Sequence, residues 1–202
     1  MKQPLKLMAA LGLCALVLGC AAPTSIEDEP LVNLGDFKLG HNVIVGDKAE
    51  KVPPSREATP EEWEAILGAA VDQRFRQYDG EGLYHFGISV DAYALAVPGV
   101  PVVLSPKSIL IIKVNVWDND TKTKLTAEPE QMTIFEGLSG DTFVGSGLTR
   151  SREEQMKALS ANAARKIERF LERNSVEWFG VSQAEFDAAK AASQSSSNED
   201  DN

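Results

Sequence analysis

The sequence predicts an α+β fold: a two-layer sandwich in which a mainly antiparallel sheet carries two amphipathic helices on one face. Three observations lead there. Residues 59–77 and 151–173 repeat apolar side chains every three or four positions, and residues 83–97 and 108–117 alternate them with polar ones. Each helical stripe needs a surface to cover it, and the apolar face of an antiparallel sheet supplies one. No internal repeat or second such pattern occurs, so residues 31–180 read as a single domain.

The elements follow in chain order. Residues 34–45 carry Phe37, Leu39, Val43, Ile44 and Val45 around Gly35 and Gly40, the pattern of a strand with a bend. Pro53 and Pro54 then enforce an extended connection. Thr59-Pro60-Glu61-Glu62 offers an N-cap, a proline at the first helical position and a Glu at N3 to close a capping box. Behind it Trp63, Ile66, Leu67, Ala70, Val71 and Phe75 form the stripe of the first helix, which Asp79-Gly80-Glu81-Gly82 terminates.

In the long strand that follows, Tyr84, Phe86, Ile88, Val90, Ala92 and Ala94 share one face, with His85, Ser89, Asp91 and Tyr93 on the other. After a Pro-punctuated loop, Leu110, Ile112, Val114 and Val116 repeat the alternation, and Asp118-Asn119-Asp120-Thr121 turns the chain into residues 122–126 as an antiparallel hairpin. Residues 132–135 and 142–144 are further short strand candidates. Ser151 with Glu154 opens the second helix, whose stripe is Met156, Leu159, Ala163, Ile167, Phe170 and Leu171, and Trp178 and Phe179 fold back behind it. Residues 181–202 read as a polar, largely disordered acidic tail, in which residues 188–192 have the composition to continue helically and disorder begins at Ser193.

The amino terminus has a different character. Lys2 and Lys6 precede an uncharged apolar run over residues 7–18, about 18 Å as a helix against the roughly 30 Å a bilayer core requires. It therefore fits a secretory signal and not a spanning helix. Val17-Leu18-Gly19-Cys20 resembles the lipobox of bacterial lipoproteins, which implies a signal peptide over residues 1–19, cleavage between Gly19 and Cys20, and diacylglyceryl and palmitoyl chains on Cys20. Cys14 is the other cysteine and lies inside the leader, so processing leaves Cys20 no disulfide partner in the chain. The resemblance also implies an address: Ala21 follows the cysteine in place of the Asp that retains lipoproteins at the inner membrane, which favours the periplasmic face of the outer membrane. Residues 20–30 then read as a polar tether.

Charge and inventory exclude several functions. Thirty acidic against twenty basic residues give −10, and losing Lys2 and Lys6 takes the mature chain to −12, unsuited to the phosphate backbone of nucleic acid. His41 and His85 lie 44 apart, outside any metal-ligand spacing, and read as surface residues. Gly145-Ser146-Gly147 lacks the Lys of a phosphate loop and the third glycine of a dinucleotide fingerprint, so it reads as a bend before the second helix. Asp118-Asn119-Asp120 lacks the later Gly and Glu of a calcium loop, and Glu61-Glu62-Trp63-Glu64 is the favourable charge of a helix start. No catalytic, cofactor or metal residue is assigned.

Gly35-Asp36-Phe37, Leu83-Tyr84-His85-Phe86-Gly87, Leu104-Ser105-Pro106-Lys107-Ser108, Val116-Trp117-Asp118, Glu136-Gly137-Leu138-Ser139-Gly140 and Gly145-Ser146-Gly147-Leu148-Thr149 with Glu153-Glu154-Gln155 resemble a group of small lipoproteins of marine and phototrophic alphaproteobacteria. The resemblance implies an envelope address and assigns no activity to any residue. More loosely, the arrangement of elements looks like that of accessory lipoproteins of envelope transport and assembly systems. The expectation is a non-enzymatic envelope module held to the bilayer through acylated Cys20 and meeting an envelope protein partner. A structural envelope lipoprotein and a periplasmic hydrolase built on an unrecognised constellation of Ser, Asp and His85 are the alternatives.

Overall fold

A computed structural model describes residues 25–97, 108–136 and 150–199. Its elements are β1 (Lys38–Val45), β2 (Glu50–Lys51), α1 (Pro60–Phe75), β3 (Leu83–Ala94), β4 (Ile109–Asp118), β5 (Glu130–Phe135), α2 (Arg152–Trp178) and α3 (Gln183–Glu199). The strands form one sheet in the order β1-β3-β4-β5, with β2 also paired to β3. β3, β4 and β5 are antiparallel, whereas β1 and β2 run parallel to β3. α1 lies against β1, α2 against β5, and the two helices touch each other.

The expected fold class is corrected in two respects. The sheet is mixed, because β1 and β3 flank α1: a helix between two neighbouring strands returns the chain to the end it started from, which makes the strands parallel. There are also three helices, not two, among the described residues. α3 has the same start signature as the other two. Ser182 Oγ accepts from Glu185 N–H at 3.3 Å while the Glu185 carboxylate accepts from Ser182 N–H at 3.0 Å, and the backbone stays helical to Glu199, beyond the expected break at Ser193.

Both expected capping boxes are present, at Thr59/Glu62 and Ser151/Glu154. Glu62 is also bidentate to Arg152, with Nη1 to Oε2 at 2.6 Å and Nη2 to Oε1 at 2.5 Å, joining the two helix starts. The Arg152 guanidinium first, and the Thr59 N–H second, hold the Glu62 carboxyl below the usual range. Thr59→Ala should cost about 0.5–2 kcal/mol in denaturant unfolding, since Glu62 N–H loses its acceptor at the helix start. No loss would reject the cap.

The core lies between the helices and one sheet face. Leu67, Leu159, Ile167, Phe86, Ile88, Leu110 and Ile112 belong to one continuous apolar layer, while Ile66 is only half-buried at its margin. Phe37 is its aromatic centre, within 5.2–6.1 Å of the rings of Phe75, Tyr78, Tyr84, Phe86 and Phe179. Phe179 is buried just past the end of α2, where Gly180 at φ +72° turns the chain.

The expected faces of β3 hold as far as Val90. There a register shift sets Val90 opposite Ile112 and Ala92 opposite Ile111, a bulge that inverts the alternation. Tyr93 therefore points into the core, where its ring meets Trp63 at 5.4 Å and its hydroxyl donates to Ala58 C=O at 2.9 Å. Past β4 the expected hairpin return is reduced to one bridge, Trp117 to Lys124, with Leu125 N–H on Val116 C=O at 2.8 Å. β5 is an edge strand, but Lys166 Nζ donates to its Thr133 C=O and Asn162 Nδ2 to its Phe135 C=O, each at 2.9 Å. The short-strand candidate at 142–144 and the Gly145-Ser146-Gly147 bend lie outside the described residues.

Residues 26–30 do not hang free as a polar tether. Ile26 is buried, and Arg74 of α1, itself 1 % exposed, reaches the carbonyls of Ile26 at 3.0 Å, Glu29 at 2.8 Å and Pro30 at 2.7 Å. The remaining donors of the same guanidinium clasp Glu168 of α2, Nε to Oε1 at 2.7 Å and Nη2 to Oε2 at 2.8 Å, so all five N–H groups are used. Tyr78 donates its hydroxyl to the same carboxylate, and burial, with that bond second, pushes its phenol pKa far up. Glu29 then pairs with Arg165 of α2, Nε to Oε1 at 2.8 Å, making residues 25–30 a strap across the α1–α2 seam.

Candidate functional site

Among the described residues no helix covers the second face of the sheet, and the sequence places apolar side chains on it. Val43 is 54 % exposed, Val45 43 % and Phe135 37 %, and Ile109, Ile111 and Trp117 are half-buried. Where β1, β3 and β4 meet the turn after β4, this face sinks into a hollow of about 530 Å³, lined by His41, Val43, His85, Gly87, Trp117, Asp118, Asn119 and Lys122.

Two glycines shape it. Gly87 lies opposite Asn115 on β4, one step from the Trp117 position, and a Cβ there would come within 2.8 Å of Trp117 Cζ3. The missing side chain lets the indole lie flat on the sheet. Gly40 does the same for His85, whose Nδ1 would collide with an added Cβ. Gly40 and His41 form a bulge: Leu39 pairs with Tyr84 and Asn42 with Phe86, leaving one extra residue in β1. The displaced His41 N–H donates instead to His85 Nδ1 at 2.8 Å.

That bond fixes the chemistry of His85. Nδ1 accepts, so the ring proton sits on Nε2, which faces Asn119 Oδ1 at 3.2 Å. With both nitrogens engaged, His85 is a positioning residue for the bulge and the turn. The structure thus joins the two histidines, 44 residues apart in sequence, with ring centroids at 4.8 Å. No group of three or more His, Cys, Asp and Glu side chains among the described residues could hold a metal ion.

The turn is held by Asp118, whose Oδ1 accepts from Asp120 N–H at 2.7 Å and Thr121 N–H at 3.3 Å. Burial raises the Asp118 pKa, but these N–H groups, the Thr121 hydroxyl and nearby Lys122 outweigh it and hold the carboxyl below its ordinary value. Asn119 N–H closes the turn on Leu83 C=O at 2.9 Å, and Lys122, at φ +56°, donates from Nζ to Asn119 Oδ1 at 3.1 Å.

Among the candidates from sequence, Gly19 and Cys20 lie outside the described residues. Asp118, Asn119 and Asp120 build a turn, as expected of them, and it is one wall of the hollow. Glu64 accepts from Gly46 N–H at 3.0 Å, tying the end of β1 to α1. Sequence reasoning missed Gly87, Trp117 and Lys122. The available signal was a glycine inside an otherwise regular strand, which marks a close approach by another group.

No protein-family model and no curated protein matches the chain. Solved structures with a similar arrangement include the PelC dodecamer from Paraburkholderia phytofirmans, at 10 % identity over 65 % of this chain and 88 % of that one, with a TM-score of 0.33. A protein from Xanthomonas campestris matches at 12 % identity over 70 % and 90 %, TM-score 0.40. A candidate lipoprotein from Caulobacter crescentus matches at 16 % identity over 62 % and 88 %, TM-score 0.32. Likenesses this distant assign neither a family nor a function to the chain.

Proposed function

We propose that the chain is a non-enzymatic lipoprotein of the bacterial envelope, held by acyl chains on Cys20 at the periplasmic face of the outer membrane, that binds a partner through the uncovered sheet face. The observation that carries this reading is that face itself: a sheet with one side buried under α1 and α2 and the other left apolar around a hollow. Its outer edge at β5 is less suited to adding a strand, because α2 side chains already occupy two of its carbonyls. Among the described residues no helix is long and apolar enough to cross a membrane.

The strap adds an orientation. Gln73 and Arg74 of α1 and Arg165 of α2 supply side-chain hydrogen bonds from the body to residues 25–30. Four residues separate Cys20 from Ser25, a reach of at most about 18 Å. In this reading the helical layer faces the bilayer and the hollow looks away from it, towards the periplasm.

Mass analysis of the amino-terminal peptide should find an acylated Cys20, and an unmodified Cys20 or a chain still starting at Met1 would sink the anchoring. Orientation is tested on the acylated chain in vesicles with a headgroup quencher: a fluorophore at Gln77→Cys, in the turn just past α1, should be quenched strongly and one at Val43→Cys weakly. The reverse order would overturn the orientation. A photo-crosslinker at Val43 in intact cells should form one discrete adduct that the same group at Gln77 does not form, and equal behaviour at the two positions would reject the sheet face as the binding surface.

A further inference from the structure

We propose that the hollow takes a small amphipathic anion, with an aromatic or aliphatic body laid on Trp117 and Val43 and a single carboxylate or similar acid at Lys122 and His41. This rests on the reading that the open face binds, and adds the chemistry of what it binds. The volume, about 530 Å³, suits a small molecule. Its floor is a flat indole over Gly87, where any side chain would collide, and its apolar wall is the exposed Val43. A ring or short chain placed there loses apolar surface to water and meets an aromatic face.

Charge sets the sign of the ligand. In a chain of net charge −10, eight Lys and Arg side chains are committed to ion pairs among the described residues, and Lys122 is not among them. Its ammonium hydrogen-bonds one neutral partner, Asn119 Oδ1 at 3.1 Å, and lies near the Asp118 carboxylate without forming an ion pair with it, which leaves donors for an acid. His41 stacks on His85 at 4.8 Å, and its own ring nitrogens have no hydrogen-bond partner among the described residues. The carboxylate in the lining, Asp118, has Oδ1 turned into its own tight turn against two backbone N–H groups, so its charge is partly balanced there. An ammonium ligand would meet the Lys122 charge and gain only the partly balanced Asp118 carboxylate, whereas an acid meets the Lys122 donors.

Three probes of one shape separate the possibilities: 2-naphthoate, 2-naphthylmethanol and 2-naphthylmethylammonium, titrated by calorimetry onto the acylated mature chain in nanodiscs, with empty nanodiscs subtracted. Naphthoate should bind about tenfold more tightly than the alcohol, and the ammonium more weakly than either. Lys122→Gln should bring naphthoate down to the affinity of the alcohol and leave the alcohol unchanged. Trp117→Ala should weaken all three. Equal binding of the three probes, no binding of any, or naphthoate affinity unmoved by both substitutions overturns the anionic site. A discrete Val43 adduct would in that case preserve the sheet face as a binding surface, whereas its loss as well would remove both readings.

Discussion

Glu168→Ala is expected to cost about 3–5 kcal/mol in denaturant unfolding, although Glu168 is a charged residue on a helix rich in charged residues. The reason is where its partner sits. Arg74 is 1 % exposed, and Glu168 supplies the counter-charge and accepts two of its five donors. Without the carboxylate a buried guanidinium keeps three carbonyl contacts and no opposite charge, and Tyr78 loses its acceptor. Arg74→Met should destabilise by a similar amount through the other partner, because Glu168 becomes the uncompensated ion and the strap carbonyls lose their donors. The double substitution to apolar residues should be less damaging than the sum of the singles, since it leaves no orphaned charge. Hydrogen exchange adds a local readout: amides of residues 26–29 should exchange faster in Arg74→Met. A loss below about 1 kcal/mol for both singles would show that the clasp does not hold the strap.

That clasp also marks where sequence reading stops. Periodicity showed the stripes of α1 and α2 and the paired alternation of β3 and β4, because burial on one side imposes it on side chains. The strap left no such trace: residues 26–30 are polar apart from Ile26 and Pro30, and what binds them to Arg74 is backbone carbonyl, which every residue possesses. The bulges were hidden for a related reason. An extra residue at Gly40 and His41, and another between Val90 and Ala92, shifts the phase of a strand without changing its composition, so Tyr93 read as outward when it lies in the core. The hollow depends on the first of these bulges, since it is what brings His41 onto His85. The start and length of α3 were legible and overlooked beyond the helical composition of residues 188–192: Ser182 and Glu185 repeat the spacing that marked Thr59 with Glu62 and Ser151 with Glu154.

Ile167→Ala should be among the most destabilising single substitutions in α2, at about 2–5 kcal/mol, while its neighbour Lys166→Ala should stay within about 1 kcal/mol. Ile167 is fully buried in the layer shared by both helices and the sheet, so truncation removes apolar contacts and leaves a cavity that the surrounding side chains fill only in part. Lys166 is exposed, and what it loses is one hydrogen bond from Nζ to Thr133 C=O at the edge of β5, where water can replace it. Alanine is a good helix former at both positions, so propensity cannot account for a difference between them. Denaturant midpoints with unchanged slopes for the two variants measure the difference directly. Equal losses, or a larger one at Lys166, would mean that α2 meets the sheet through another stripe and that the core is not the layer between the helices and the inner faces of β3 and β4.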